Sequence, residues 1–491
     1  MIDVLTLMFG ILRGNCIYQK MKITFYLCLV FPCLALAESN NPSIHYEVKV
    51  GDDLQSLEVS ICFDHKLPPA LFANDGSSTF VSNVRFNTEK VLEFELDRVN
   101  IPAAETGRCI FYDVLLIPRY RGEQRGGAET RLIDGREMLT SIGDWLLRPS
   151  SKTDYAEFDI NFILPNGVYV SAPWSRLDKA RFTGVNTAIE WEGIVAFSSQ
   201  APDTVDVNGS IFEVSILGEF QRATAADMSH WVRQSAEGVS ALMGFFPRTK
   251  VQVIISPSDR TKTIVPWAYI TRGGGAGIHL FVKRDANLEQ LLWDFSLPHE
   301  MSHFMFPHID SGDYWIIEGL PTYLQHLSMV KSGAITAQES WSRLYRGFAS
   351  GKHTGRGFTV AESMRRLARR GTYLRVYWGG AAYFFQRDVD LRVQSQGAVT
   401  LLDVLLKYHE CCYDEFRSIS GDKLLSDLDV LFENDLFVRR KLVEIEIEEF
   451  PDFKATFEAL GIQFLGAKPV FDEGAANGIA AQIMNPVGFD R

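Results

Sequence analysis

Leu297-Pro298-His299-Glu300-Met301-Ser302-His303 carries the pattern H-E-x-x-H. Residues four apart lie on one face of a helix. His299 and His303 can therefore offer two imidazole nitrogens to one metal ion. Glu300, between them, is placed to take a proton from a water on that metal. The pattern alone is only moderately specific, because two helix-face histidines satisfied by hydrogen bonds would read the same way. Further along comes Trp315-Ile316-Ile317-Glu318-Gly319-Leu320-Pro321. Two histidines leave a catalytic zinc short of a ligand, and a carboxylate from a following helix, here Glu318, is the usual third.

The pair H-E-x-x-H … W-x-x-E-G resembles that of the gluzincin metallopeptidases, most closely the glycyl-aminopeptidase-like group (family M61) and more distantly the M1 aminopeptidases. The resemblance implies a zinc-dependent peptidase with one Zn2+ on His299, His303 and Glu318, and with Glu300 as the base. Arg375-Val376-Tyr377-Trp378-Gly379-Gly380-Ala381 is similar to the Tyr-x-Lys-Gly motif of both families. Tyr377 matches the tyrosine that donates a hydrogen bond to the tetrahedral oxyanion, while Gly379 stands in the lysine position. The family's fold implies an edge strand, upstream of the zinc helix, that pairs with the substrate backbone. Gly273, Gly274, Gly275, Ala276 and Gly277 fall at that place, although an ordinary glycine turn fits the same residues. M1 enzymes carry there a glutamate that grips the substrate's free amine, and this run has no carboxylate. Aminopeptidase and endopeptidase action both stay open. The stretch Gly-Val-Tyr-Val-Ser-Ala-Pro-Trp at 167–174 and the helix pair within 385–406 extend the resemblance.

The 491 residues, 46% of them hydrophobic, suffice for two or three domains. Net charge is −12 with the signs mixed along the chain and no Lys/Arg-rich block, so nucleic acid is not an expected partner. The expected substrate is a peptide or protein. The fold expected is α+β and multidomain: an N-terminal β-sandwich over 38–215, a thermolysin-like zinc metallopeptidase domain over 216–335, a C-terminal helical domain over 336–470, and a tail over 471–491. Alternating runs at 45–50, 57–62, 109–117 and 158–163 predict short sandwich strands. Spacing predicts a helix over 225–246 with Thr224 as N-cap, and helices over 340–348, 360–370, 373–396, 400–410, 421–434 and 435–448.

Pro298 is awkward inside a helix. Either a fresh helix starts with Ser296 as N-cap or the helix kinks just ahead of His299. Pro321 is tolerated if its helix begins near Glu318. Asp310 or Asp313 could hydrogen-bond a ligand histidine. His279 reads as a strand histidine and His308 as a loop histidine.

Met21 and Lys22 open an apolar run, Ile23 to Ala37, that ends in Ala35-Leu36-Ala37, a small-x-small cleavage site. Residues 1–37 read as a signal peptide, with a possible true start at Met21 and a mature start at Glu38. Export to the periplasm or outside the cell follows, with no stable membrane span after leader removal. Retention as an N-terminal anchor is the less favoured alternative. Cys62 and Cys109 could pair or stay free, and adjacent cysteines such as Cys411 and Cys412 rarely bond each other. The rival to the peptidase is a catalytically inactive gluzincin-fold binding or assembly protein, favoured by the glycine run, Pro298 and Gly379. Three ligands retained together with Glu300 weigh against it.

Overall fold

The computed structural model describes residues 44–484 apart from 65–66, 75, 88–89, 103–107, 119–129, 151–156, 260–261, 365–371, 473 and 475–477. The leader, the cleavage site and the last seven residues lie outside the described residues.

The N-terminal part is built of β-strands. Ile44–Val50 alternates buried and exposed positions, which puts Ile44, Tyr46, Val48 and Val50 on one inner face. It pairs antiparallel with Ser56–Phe63 and parallel with Glu157–Ile163 at the heart of an eight-stranded sheet. Two four-stranded sheets accompany it, and the inner faces share one apolar core. Cys62 and Cys109 are register partners on neighbouring strands, and a disulfide joins them.

A second sheet of five strands follows: β1 (Asp203–Val207), β2 (Ser210–Ile216), β3 (Lys250–Ser258), β4 (Trp267–Thr271) and β5 (Gly277–Lys283). Its order is β1-β2-β3-β5-β4, with β2, β3 and β5 parallel and β4 running antiparallel at one edge. β1 and β2 fall in the stretch expected as β-sandwich but pair into this sheet. Between β2 and β3 lies helix α1 (Ala225–Met243), started by a capping box of Thr224 and Asp227 and ended by Gly244 at φ 83°, as the spacing predicted.

The stretch 286–306 breaks into α2 (Leu288–Trp293), α3 (Ser296–Ser302) and a 3-10 turn over His303–Met305. Asp294 accepts the Ser296 N–H at 2.8 Å, and Pro298 becomes the third residue of α3. A proline costs nothing there, since the first N–H groups of a helix have no partner within it. The fresh-helix reading therefore holds, with Phe295 rather than Ser296 at the cap.

Helix α4 spans Tyr314–Lys331, so Glu318 sits in its second turn and Pro321 in its interior, not at its start as expected. The loss of one backbone bond, about 3 kcal/mol, is offset by burial of Trp315, Ile316, Leu320, Tyr323, Leu324 and Leu327, each worth about 1.5–3 kcal/mol. Seven more helices follow up to residue 459: α5 (Ala337–His353), α6 (Val360–Met364), α7 (Thr372–Gln394), α8 (Leu401–Cys412), α9 (Gly421–Leu431), α10 (Leu436–Glu444) and α11 (Phe453–Ala459). α5 to α10 fall close to the six expected helices, α11 was not expected, and residues 365–370 of one expected helix lie outside the described residues. The hairpin Ile462–Leu465/Lys468–Phe471 was not foreseen. In the expected tail, α12 (Ile479–Met484) buries Ala480, Ile483 and Met484 in the main core. Cys411 and Cys412 bond each other, against expectation. They lie in the last turn of α8, where the backbone carbonyls have no helical partner and the chain can adjust.

Among the described residues, no helix is long and apolar enough to cross a membrane.

Candidate metal centre

Helices α3 and α4 bring the predicted ligands together. His299 Nε2 lies 3.2 Å from Glu318 Oε2, and His303 Nε2 lies 3.9 Å from the same oxygen. Zinc bonds of about 2.0–2.2 Å at tetrahedral angles separate ligand atoms by roughly 3.3–3.5 Å. Two imidazoles and a carboxylate at these spacings fit that ion. Glu300 Oε2 is 3.9 Å from His303 Nε2, so it too could reach a cation. Glu318 is the other candidate for a third ligand, because one of its oxygens faces both imidazoles.

The protonation of these groups is set by burial and by their mutual contacts. Burial, with help from His299 and Arg272, holds His303 well below the usual imidazole range, so it is neutral. Burial also works to lower His299, but the Glu318 hydrogen bond and the Glu300 charge outweigh it and hold His299 above its ordinary value. Burial pushes Glu300 up to about 8, against the pull of His299 and with the Glu318 charge adding to it.

His299 is fixed from behind. Its Nδ1 lies 2.8 Å from Gln325 Oε1, and as donor it leaves Nε2 free to bind metal. Gln325 was not foreseen. Its signal is helical spacing: it follows Glu318 by seven residues, two turns along the same face of α4. The expected alternatives do other work. Asp313 accepts the Gly421 N–H at 2.9 Å, and the Asp310 backbone joins the short strand pair of His308–Ile309 with Ser418–Ile419.

Tyr377 on α7 stacks over His299, ring centroids 6.1 Å apart at 11°. Burial and then the nearby Glu318 and Glu300 charges hold its phenol well above its ordinary value, so it stays a donor. What brings it there is glycine. A Cβ on Gly319 would sit 2.4 Å from Gly380 Cα, and one on Gly380 would sit 1.9 Å from the Trp315 carbonyl oxygen. The glycines of W-x-x-E-G and of the tyrosine motif thus let α4 and α7 touch backbone to backbone. Gly379 faces Val360, whose Cγ2 would lie 2.7 Å from an added Cβ. A long side chain in that position would displace α6.

A cavity of about 370 Å³ opens over Glu300, His303, Glu318 and Tyr377. One wall is edge strand β4 with Trp267, Tyr269 and Ile270, and the other is Phe306, His308 and Tyr314. His308, expected in a loop, pairs through a short strand with Ser418 and packs at a tilt against Trp191. His279 is buried in β5 between Ser256 and Tyr269, as a strand histidine.

The glycine run lies elsewhere. Residues 273–276 turn β4 into β5 and press on the β-sandwich. A Cβ on Gly275 would sit 2.1 Å from the Pro173 carbonyl oxygen, and one on Gly273 would sit 2.7 Å from the Glu192 carbonyl carbon. Gly274 has φ 76° and faces Trp174, whose indole N–H donates to the Gly273 carbonyl at 3.1 Å. Gly274, Gly275 and Ala276 border a separate cavity, and Gly277 opens β5. The strand ahead of the glycines, not the run itself, lines the metal cavity.

No protein-family model and no curated protein sequence matches this chain. Solved structures do match in fold. An aminopeptidase N family protein from Idiomarina loihiensis superposes with a TM-score of 0.67 at 14% identity, covering 86% of this chain and 78% of that one. An M1 zinc metallopeptidase from Deinococcus radiodurans gives 0.52 at 16% identity, covering 84% and 94%. A variant of the Deinococcus enzyme bound to a Tyr-Ser-Ala substrate gives 0.51 at 15%, covering 84% and 95%. The chain has the fold of these zinc metallopeptidases, with a β-rich N-terminal part and a helical C-terminal part.

Proposed function

We propose that this protein is an exported zinc-dependent metallopeptidase that hydrolyses peptide bonds. The observation that carries the reading is the convergence of His299 Nε2, His303 Nε2 and Glu318 Oε2, with Glu300 and Tyr377 beside them, on a cavity walled by a sheet edge. His299, His303 and Glu318 hold one Zn2+, which when bound supplies a Lewis acid and makes water acidic near neutral pH. Glu300 takes the proton of the attacking water and passes it to the leaving amine, and its raised pKa suits both tasks near neutrality. Tyr377 donates a hydrogen bond to the oxyanion. The peptide backbone lies along β4, and the glycines at 273–277 act on it indirectly by fixing the end of that strand against the sandwich. Export rests on the leader over 21–37 and fits the Cys62–Cys109 disulfide, a bond suited to an oxidising compartment.

The test is mass spectrometry of a complex peptide mixture incubated with the mature chain from Glu38, beside its Glu300→Gln variant. Cleavage by the wild type, and a variant that keeps zinc but loses about 10²–10⁴ of the rate, supports the reading. Equal cleavage by both sinks the assignment of Glu300. No cleavage by either, with zinc bound, moves the protein to a binding role. The cut positions separate trimming of single residues from internal cutting.

A further inference from the structure

Arg272 directly follows β4 and borders the metal cavity. Its Nη2 donates to the main-chain carbonyl of His303 at 2.8 Å. That carbonyl belongs to a proposed metal ligand and sits where α3 gives way to the 3-10 turn. Carbonyls at a helix end have no partner within the helix, and a cation is favoured there by the helix dipole. The Arg272 main-chain N–H donates to the Glu192 carbonyl at 3.1 Å, which anchors its backbone to the sandwich. The guanidinium also lies over the Phe304 ring, 5.5 Å from its centroid.

A short strap, Tyr413 to Glu415, completes the arrangement. The Tyr413 hydroxyl accepts a hydrogen bond from Arg248 Nη2 and lies close enough to Arg272 to act on its charge, and Arg248 Nε lies 3.2 Å from a Glu415 oxygen. Arg248 faces Phe304 as well, at 5.2 Å. The strap leaves α8 immediately after the bonded pair Cys411–Cys412.

Burying a guanidinium is costly unless its donors are satisfied. Among the described residues, Nε and Nη1 of Arg272 are buried without a hydrogen-bond partner. Simple satisfaction of the arginine therefore does not account for its place, whereas the His303 carbonyl does. Holding that peptide plane fixes the backbone from which the imidazole projects, and it does so from the strand that lines the cavity.

We propose that Arg272 is a positioning residue that ties the main chain of His303 to the end of the cavity-lining strand, with Tyr413 bracing it from the strap. The proposal rests on the peptidase reading above. It is tested on the full mature chain with Arg272→Met, Arg272→Lys and Tyr413→Phe. Three quantities are measured: zinc affinity by competition with a chromophoric chelator, the visible absorption of the cobalt(II)-substituted protein, and kcat and KM on a peptide that the wild type cleaves. Arg272→Met is expected to bind zinc about 10–100-fold more weakly, to shift the cobalt bands, and to lower kcat more than KM. Arg272→Lys, which keeps a donor, recovers most of the zinc affinity. Tyr413→Phe shifts the cobalt bands in the same direction by less, and it carries the test if Arg272→Met does not fold. An Arg272→Met protein, or failing that a Tyr413→Phe protein, with wild-type zinc affinity and an unchanged cobalt spectrum overturns the proposal. A wild-type chain that takes up no metal overturns the peptidase reading itself, and this proposal with it.

Discussion

Tyr377 and Gln325 touch the same histidine, one on its ring face and the other at Nδ1, and should fail differently. Tyr377 stacks on His299 as a protonated donor facing the cavity. Tyr377→Phe should lower kcat about 10²–10³-fold, the cost of one oxyanion donor, with little change in KM, because its bond forms only in the transition state. Steady-state kinetics on a cleaved peptide checks this, and an effect confined to KM would contradict the oxyanion role. Gln325 holds Nδ1 of His299, so Gln325→Leu should weaken zinc binding about 10–100-fold, read by chelator competition. His299, Glu300 and His303 stood out in the sequence because two imidazoles at helical spacing around a carboxylate suggest a metal, and Glu318 stood out through the W-x-x-E-G stretch. Gln325 did not, because an amide carries no chemistry of its own and acts only through the ring it orients.

Gly319 and Gly380 govern how two helices meet. With no space for a Cβ at either position, Gly380→Ala must push α7 off α4. The expected cost is about 1–3 kcal/mol, read as a lower urea midpoint, together with a fall in kcat as Tyr377 withdraws from Glu318. Unchanged stability and rate in that variant would show that the helices can part freely. Helix positions were legible from apolar spacing, since α1 and α5 to α10 fall close to where the periodicity puts them. The start of α4 was misread because Pro321 argues for a late start, and tertiary burial of Trp315 and Ile316 overrides it. The glycine run at 273–277 shows in the sequence only that something could come near. Whether that neighbour is a substrate or the sandwich depends on contacts distant in sequence.

Across the whole molecule, burial sets the response to acid. His279, His308 and His326 are pulled down to about 3, 4 and 3, first by desolvation. They are neutral in the folded chain, while the unfolded chain protonates them near pH 6.5. Between about pH 6.5 and 4 the unfolded state therefore binds more protons, and stability falls as pH falls. At about pH 5 each imidazole should cost roughly 1–2 kcal/mol, with the raised His299 acting in the opposite sense. Urea unfolding at pH 7.5, 6 and 5 should show a falling midpoint, with a shallower fall in His326→Gln. A flat profile would mean that these rings gain protons without unfolding. The division into a β-rich front and a helical back was legible in the sequence, but the assignment of β1 and β2 was not, because pairing partners across a sheet leave no local trace. The glycine hairpin that meets the sandwich has a lasting consequence for which mutations the protein can absorb. Its contacts at Pro173 and Glu192 are with main-chain atoms, which every amino acid supplies. The tolerance of that junction is one-sided: side chains on the sandwich can drift as long as the chain traces the same path, while any side chain gained at Gly273 or Gly275 shuts the joint out.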